Sequence, residues 1–245
     1  HFDLMNWWLD SYPQRVFAMG DLRFYGKKNA ESRGEHYPYT RYTGEPAAKN
    51  DPFALVLDQA APGEESTLKE LYLNAEKDDG YIRDRNVFGE PITIEDTVAL
   101  AVRYRSGVIF NYSLVAYSPW EGLRATITGT KGRIELHQKL GSHIIAGQSE
   151  QELAAQQAIG QDNSLRVFPM FGVPYEVEIP IVDGGHGGAD TLLLEQLFSP
   201  DAPTADPLGQ AASHLEGAAA VLLGISANES IATGLPVECD SILKL

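Results

Sequence analysis

Two alternating segments joined by a glycine constrain the fold of this chain more than any other feature. Between positions 97 and 104 every second residue is large and apolar, which is the repeat of a β-strand with two different faces; these residues are Val98, Leu100, Val102 and Tyr104. A second alternating run covers positions 108 to 115. Gly107 lies between the runs and tolerates the positive φ of a tight turn. We therefore predict an antiparallel hairpin with a two-residue turn at Ser106 and Gly107.

Such a turn would leave both faces of the hairpin apolar, because Arg105 would then face Val108. One face would carry Val98, Leu100, Val102, Tyr104, Ile109 and Val115, and the other Ala99, Ala101, Val108, Phe110, Tyr112 and Leu114. A half-exposed antiparallel sheet should be polar on its outer side, and monomers rarely expose large apolar patches. Either a partner sheet, in a homodimer or higher homo-oligomer, or a missing domain must therefore cover one face, although a longer turn would exchange the residues that share a face.

The remaining elements complete an α+β pattern. Gly129 and Gly132 mark a second turn, in the segment Gly129-Thr130-Lys131-Gly132-Arg133-Ile134-Glu135. An apolar stripe at helical spacing begins at Phe2, and a final helix is predicted near Pro207 with Asp206 as its cap. The expected buried stripe of that final helix is Leu215, Ala218, Ala219, Leu222 and Ile225. We expect an open, mostly antiparallel β-sheet with helices packed on one face, in two layers.

Charge and composition exclude several classes of partner. The chain has 34 Asp and Glu against 19 Lys and Arg, for a net charge of −15. Nucleic-acid binding depends on clustered cations, and anionic membrane surfaces repel such a chain. No apolar run approaches the ~20 residues of a membrane-spanning helix. The six histidines are scattered and Cys239 is the single cysteine, so no metal-binding motif is present. We expect no nucleic acid, no membrane and no metal.

These strands, turns and glycines resemble the C-terminal domain of the glucose–fructose oxidoreductase / inositol dehydrogenase / MocA (Gfo/Idh/MocA) oxidoreductase family. The resemblance spans nearly the whole chain, and its most specific segments are 129–135 and Asn6-Trp7-Trp8. It implies a fold like the C-terminal domain of dihydrodipicolinate reductase. It further implies that residues 1–245 form a single substrate-binding and oligomerisation domain, with the N-terminal dinucleotide-binding domain absent from the chain.

The same resemblance implies an activity. Members of this family are NAD(P)-dependent oxidoreductases, and the expected substrate is a small sugar, polyol or glycoside. NAD or NADP would be bound mainly by the missing N-terminal domain, so none is expected for this chain alone, which would be inactive by itself. Subunits of the family commonly pair through this sheet. A non-catalytic carbohydrate-binding or structural module is the alternative function.

The first helix holds two candidate site residues. In the resembled family a His-x-x-Asp motif opens a helix of this type, and Asp3 matches the aspartate, which makes it a candidate substrate ligand. The matching histidine would lie one position before His1, outside the chain. Alternatively, His1 is itself the catalytic residue in a shifted pattern, or it is a frayed terminal residue.

Four further candidates for substrate binding come from polar segments. Arg83 and Asp84 lie in a charged stretch beside Tyr81, where guanidinium and carboxylate groups could bind sugar hydroxyls, although a solvated turn is an equal alternative. Tyr112 begins a rim of hydroxyls, an indole and the carboxylate of Glu121, a pattern that also suits ordinary sheet packing. His186 lies in the loop Gly184-Gly185-His186-Gly187-Gly188, whose spacing is wrong for a dinucleotide turn. We expect His186 and the Arg83–Asp84 segment to share one cleft near the first helix.

Overall fold

Two antiparallel sheets, five α-helices and a few short 3₁₀ and π segments make up the regular structure of the described residues. The computed structural model describes residues 1–59, 66–142, 163–180, 188–200 and 206–245. Its strands are β1 (Pro13–Asp21), β2 (Thr97–Tyr104), β3 (Ile109–Val115), β4 (Trp120–Gly129), β5 (Gly132–Ser142), β6 (Ser164–Pro169), β7 (Tyr175–Val177) and β8 (Val237–Glu238). Its α-helices are α1 (Phe2–Leu9), α2 (Lys27–Ser32), α3 (Glu76–Asp79), α4 (Ala189–Phe198) and α5 (His214–Thr233).

The strands are divided between two sheets. The first sheet has the order β3-β2-β1-β8 and the second the order β4-β5-β6-β7, and every pairing among these strands is antiparallel. The predicted α+β class and antiparallel pairing are confirmed. The described strands nevertheless form two four-stranded sheets instead of the one open sheet that we expected. Strands β3 and β4 are therefore both edge strands, and they follow one another in the chain.

The β2–β3 turn is one residue longer than predicted. The amide of Gly107 donates to the Tyr104 carbonyl, the Tyr104 amide donates to the Val108 carbonyl, and Arg103 pairs with Ile109. The loop thus has three residues and ends at Gly107 with a φ of 89°, the left-handed conformation that closes such turns. The extra residue moves β3 by one position and exchanges its two faces.

This shift makes the two faces of the hairpin unlike each other. Leu100 of β2 pairs with Tyr112 and Val102 pairs with Phe110, so the large apolar residues of both strands share the core face. The opposite face carries Ala99, Ala101, Asn111 and Ser113 together with Ile109 and Val115, which are 56% and 42% exposed. The predicted assignment of β3 residues to the two faces is therefore wrong, because Phe110, Tyr112 and Leu114 lie on the core face and Ile109 and Val115 lie on the other.

Helix α5 packs on the first sheet and forms the main core. Leu222 and Leu223 lie against Val16, Val102 and Tyr104, which are almost completely buried. Ala219 and Leu222 are buried as predicted, but Leu215 and Ile225 are 45% and 48% exposed. The buried face instead continues through Leu223, Ser226, Ala227 and Ser230.

Helix α5 also begins later than predicted. Its N-cap is Ser213, whose hydroxyl accepts from the Leu215 amide while the Glu216 carboxylate accepts from the Ser213 amide. This reciprocal capping box satisfies amides of the first turn. Asp206, the predicted cap, instead accepts from the amides of Gln210 and Ala211 and closes a turn ahead of the helix.

Two buried carboxylates hold the long segment between β1 and β2. Asp96 is 3% exposed and accepts from the amides of Arg23, Phe24 and Tyr25 at 2.7–2.9 Å. Asp84 is completely buried and pairs with Arg41 at 2.7 Å. Regular structure is sparse here, so side-chain acceptors replace much of the backbone hydrogen bonding that helices or strands would supply.

The second sheet has one polar and one apolar face. The pairing register places Leu123, Ala125, Ile127, Ile134, Leu136, Leu165, Val167, Tyr175 and Val177 on the apolar face. None of these side chains belongs to the buried core, and Ile134 and Tyr175 are 41% and 55% exposed. Helix α4 likewise exposes Leu192, Leu193, Leu194, Leu197 and Phe198. Apolar surface on this scale normally lies against another protein surface.

Candidate functional site

A groove runs between the edges of the two sheets. Strand β3 forms one wall, strand β4 the other, and helix α1 contributes Leu4, Met5, Trp8 and Leu9 to its lining. Its volume is about 860 Å³, within the range of small-molecule sites. The connection from β3 to β4 is short, so the groove is built mainly from one continuous stretch of chain, residues 108–128, and the first helix.

Helix α1 is fixed in place by polar and aromatic contacts. The Tyr104 hydroxyl donates to Asn6 Oδ1 at 2.9 Å inside the core, and Trp7 Nε1 donates to the Leu208 carbonyl at 2.6 Å. Phe2 packs edge-on against Tyr112, with ring centroids 5.3 Å apart. The start of the helix therefore lies directly over β3.

This placement brings His1 and Tyr112 into contact. His1 Nδ1 and the Tyr112 hydroxyl are 2.8 Å apart, and both residues line the groove. Burial raises the pKa of Tyr112 above its ordinary value. The phenol consequently keeps its proton at neutral pH and can donate it to Nδ1. A polar pair of this kind can hold or pass on the proton of a bound hydroxyl group.

Trp120 forms a flat aromatic shelf on β4. The Arg124 guanidinium lies over the indole at 4.8 Å, and the His137 ring stacks on it with a centroid distance of 5.6 Å. Arg124 and His137 are direct cross-strand partners, so the stack spans β4 and β5. His137 Nε2 is buried and has no hydrogen-bond partner within the described residues.

Gly122 makes room for the shelf, and its replacement tests this. A Cβ at position 122 would lie 2.6 Å from indole carbons Cζ2 and Cη2 of Trp120, and closer still to the Gln138 carbonyl oxygen. We expect Gly122→Ala to cost about 1–3 kcal/mol of unfolding free energy and to alter Trp120 fluorescence, because overpacking forces neighbours to shift. Gly129→Ala in the same strand meets nothing within 4 Å and should change neither property. Equal effects of the two substitutions in urea titrations would contradict this role for Gly122.

The predicted site residues are not all brought together. His1 and Tyr112 meet in the groove, whereas Asp3 is exposed on α1 and does not line it. Arg83 is exposed, donates to the Tyr81 hydroxyl at 3.3 Å and lies over Tyr72 at 5.3 Å. Neither Arg83 nor Asp84 lines the groove. His186 lies outside the described residues.

Asp84 is engaged within the chain. Both its carboxylate oxygens contact Arg41, and one also accepts from the Thr43 amide at 2.7 Å. Burial by itself would raise the pKa of Asp84, but the hydrogen bonds from Thr43 and Arg41 outweigh it and hold the pKa below its ordinary value. This arrangement gives Asp84 a structural role, since the completely buried carboxylate faces its partners and not the groove.

Sequence reasoning missed two contributors to the groove. Arg124 lies four positions after Trp120, so both project from the same face of a strand, and this spacing could have indicated the stack. Trp8 could have been found from the apolar stripe of α1. In the parts of the chain that the structure describes, no group of three or more His, Cys, Asp or Glu side chains could hold a metal ion. No described helix combines the length and apolarity needed to cross a membrane.

Comparison with known proteins places the chain in a family. A family model described as "Oxidoreductase family, C-terminal alpha/beta domain" matches residues 1–238. "Putative oxidoreductase YteT" of Bacillus subtilis (strain 168) is 34% identical over 215 residues, which cover 81% of this chain and 44% of that protein. The chain thus spans less than half the length of this relative.

Solved oxidoreductases resemble the chain more remotely. The aldose-aldose oxidoreductase from Caulobacter crescentus complexed with glycerol is 11% identical with a TM-score of 0.46, covering 96% of this chain and 44% of that one. An oxidoreductase from Agrobacterium radiobacter in complex with NAD+, L-tartaric acid and magnesium is 11% identical with a TM-score of 0.47, covering 99% and 47%. Because the family model and the Bacillus relative both match it, the chain belongs to the Gfo/Idh/MocA oxidoreductase family and corresponds to its C-terminal α/β domain.

Proposed function

We propose that this chain is the substrate-binding and oligomerisation domain of an NAD(P)-dependent oxidoreductase that acts on a sugar, polyol or glycoside. The observation that carries the proposal is the 2.8 Å contact between His1 Nδ1 and the Tyr112 hydroxyl in a groove of about 860 Å³. Aromatic side chains and hydroxyl groups line the same groove, including Trp8, Trp120, Ser113 and Ser118. Such a combination binds the apolar faces and the hydroxyls of a carbohydrate at the same time.

The proposed role of the pair is proton transfer. Oxidation of an alcohol to a carbonyl releases the hydroxyl proton, and a base within hydrogen-bond distance must accept it. Tyr112 would contact the substrate hydroxyl and pass the proton to His1 Nδ1. The pair is held by packing of Phe2 on Tyr112, so its geometry depends on α1 remaining docked on β3.

The described residues do not fit the dinucleotide itself. A dinucleotide pyrophosphate is bound where a parallel strand turns into a helix. Every strand pairing described here is antiparallel, so this part of the chain contains no such turn. We assign NAD or NADP to a dinucleotide-binding domain outside this chain and expect the chain alone to be inactive.

The proposed partner for the second sheet is another copy of the same chain. Its apolar face remains uncovered by the described residues, with Ile134 and Val177 both more than a third exposed. A second copy could bury this face against its own equivalent, as in a two-fold symmetric dimer.

Kinetics of the enzyme that contains both domains test the proposal. We expect His1→Asn and Tyr112→Phe each to lower kcat by about 100-fold, the lower range of general acid–base contributions, with a much smaller change in KM. The double variant should lower kcat little more than either single variant does, because the effects of residues that act as a unit are not additive. Tyr175→Phe, at an exposed tyrosine of the second sheet, is the matched control and should leave kcat unchanged.

Two results would contradict this function. If kcat is unchanged in both site variants, the pair does not transfer the proton. If the protein binds sugars in the groove but turns none over with either nicotinamide, the alternative of a non-catalytic carbohydrate-binding module is correct, since an aromatic shelf alone suffices for binding.

A further inference from the structure

The groove differs in charge from the rest of the chain. Acidic residues outnumber basic ones by 34 to 19 in the sequence. Yet the described residues that line the groove include no aspartate or glutamate, and Arg124 is the one lysine or arginine among them. An anion that enters the groove therefore meets a fixed positive charge and no lining carboxylate. Local charge of one sign in a groove selects ligands of the opposite sign.

Arg124 also differs from its neighbours in having no acidic partner among the described residues. On the same polar face of the second sheet, Arg133 pairs with Glu135, and Arg166 pairs with Glu176 at 3.1 Å. Arg124 forms no ion pair with any residue in the parts of the chain that the structure describes. Of these three arginines it is the one at the groove.

The Arg124 side chain is nevertheless held in position. Its guanidinium lies over the Trp120 indole at 4.8 Å, and the indole lies across Gly122. A cation–π contact of this kind involves the face of the indole and does not use the N–H groups of the guanidinium as hydrogen-bond donors. Because the contact restricts the side chain before a ligand arrives, ligand binding costs less side-chain entropy, which increases affinity.

We propose that the groove selects substrates that carry a carboxylate, such as a hexuronic acid or an aldonic acid, and that Arg124 binds this carboxylate through paired hydrogen bonds. The proposal rests on the function proposed above for the groove. The planar guanidinium matches a carboxylate with two parallel hydrogen bonds. A phosphate monoester carries close to two negative charges at neutral pH, whereas the groove offers a single arginine. One fixed cation therefore favours the singly charged carboxylate.

This assignment divides the groove into two parts. The His1–Tyr112 pair contacts the hydroxyl that reacts, and the Trp120–Arg124 shelf on the facing strand contacts the acidic end of the substrate. Arg124 is then a specificity-determining residue, since its removal should change which sugar binds without touching the proton-transferring pair.

Isothermal titration calorimetry with matched ligands tests this directly. The probes are D-glucose against D-glucuronate and D-galactose against D-galacturonate, with D-galactose 6-phosphate as a separate arm, all at one salt concentration. We expect the acid of at least one pair to bind about tenfold more tightly than its neutral partner, which corresponds to about 1.4 kcal/mol. Arg124→Met keeps the length of the side chain without its charge, and it should abolish the preference while leaving binding of the neutral sugar within about twofold.

Two further variants complete the design. Arg124→Lys retains the charge but lacks the paired donors, so part of the preference should remain. Arg103→Met changes an exposed arginine of β2 that does not line the groove, and it should keep the full preference.

The remaining outcomes contradict the proposal, and each shows which part of it is wrong. Equal affinity for acid and neutral sugar, or a preference that survives Arg124→Met, contradicts the carboxylate site but leaves the proposed oxidoreductase function standing. Tighter, Arg124-dependent binding of the 6-phosphate shows that the acidic group is a phosphate. If no probe binds and the His1 and Tyr112 variants also retain full kcat, both proposals are wrong.

Discussion

Replacing Arg41 with methionine is expected to destabilise the protein by about 3–5 kcal/mol, because it leaves the carboxylate of Asp84 buried without its counter-charge. Arg41 contacts Asp84 at 2.7 Å and also binds Glu76 through two hydrogen bonds at 2.7 and 3.2 Å. Asp84 has no exposed surface in the folded chain, so its carboxylate depends on Arg41 and the Thr43 amide for partners. The effect should appear as a lower urea midpoint with an unchanged slope.

Two variants distinguish the free-energy cost of an unpaired buried charge from the cost of lost side-chain packing. Arg166→Met removes the exposed ion pair with Glu176, whose side chains are about half exposed, and should cost less than about 1 kcal/mol. Adding Asp84→Asn to Arg41→Met removes the buried charge and should recover part of the stability. If Arg41→Met costs no more than Arg166→Met, the buried ion pair does not stabilise this part of the fold.

The pH dependence of stability should follow from the same carboxylate. The folded pKa of Asp84 is lowered, so its contribution is complete above the ordinary aspartate pKa of about 3.9 and is lost as the pH falls through the folded value. Unfolding free energy should therefore decrease steeply in acid. That decrease should be shallower in the Arg41→Met and Asp84→Asn double variant, in which this group no longer titrates.

Replacing Asp96 with alanine is the other large expected effect, at about 3 kcal/mol or more. The substitution leaves the amides of Arg23, Phe24 and Tyr25 without their acceptor, and each unsatisfied buried group costs about 1–3 kcal/mol. Thr97 also loses the oxygen that accepts from its hydroxyl at 3.0 Å. Burial by itself would raise the pKa of Asp96, but these hydrogen bonds hold it below its ordinary value.

Asp96→Ala should first affect the segment whose amides donate to Asp96. The three amides begin the segment that carries Phe24, which stacks on Tyr117 with ring centroids 4.7 Å apart. Amide hydrogen exchange of residues 23–25 should accelerate more than that of the rest of the chain. Asp21→Ala, which removes an exposed ion pair with Arg23 and the hydrogen bond from the Leu22 amide, is the matched control; it should cost less than about 1 kcal/mol and leave exchange of residues 23–25 unchanged. If Asp96→Ala and Asp21→Ala lower the free energy of unfolding equally, Asp96 stabilises this segment no more than an exposed aspartate does.

Local sequence was sufficient to predict a turn where the spacing of the glycines allowed only one loop length. Two residues separate Gly129 from Gly132, and the structure pairs these glycines at the predicted β4–β5 turn. The β2–β3 turn was displaced because a glycine at position 107 closes a three-residue loop as readily as a two-residue one. The start of α5 was misplaced because Asp206-Pro207 and Ser213-Glu216 both satisfy the rules for a helix start, and only the second pair forms the cap.

Contacts between residues far apart in the chain could not be predicted from local sequence patterns. Asp84 and Arg41 are 43 residues apart, and Asp96 lies more than 70 residues from the amides that it accepts. The sequence makes Asp84 a candidate substrate ligand or part of a solvated turn, and it gives no sign that either aspartate is buried. Of the predicted rim, Tyr112, Ser113, Ser118 and Trp120 line the groove, whereas Tyr117 and Glu121 do not. Its use as a carbohydrate site stays a prediction.

Hydrogen exchange with bound substrate tests the central claim, that the groove between β3 and β4 is the substrate site. Both are edge strands, so amides on their outer edges lie outside the sheet ladders and should exchange quickly in the free protein. Exchange measured with and without a sugar substrate should show new protection in residues 108–115 and 120–128 and none in residues 81–85. Protection confined to residues 81–85, or to any surface away from the groove, would contradict the claim.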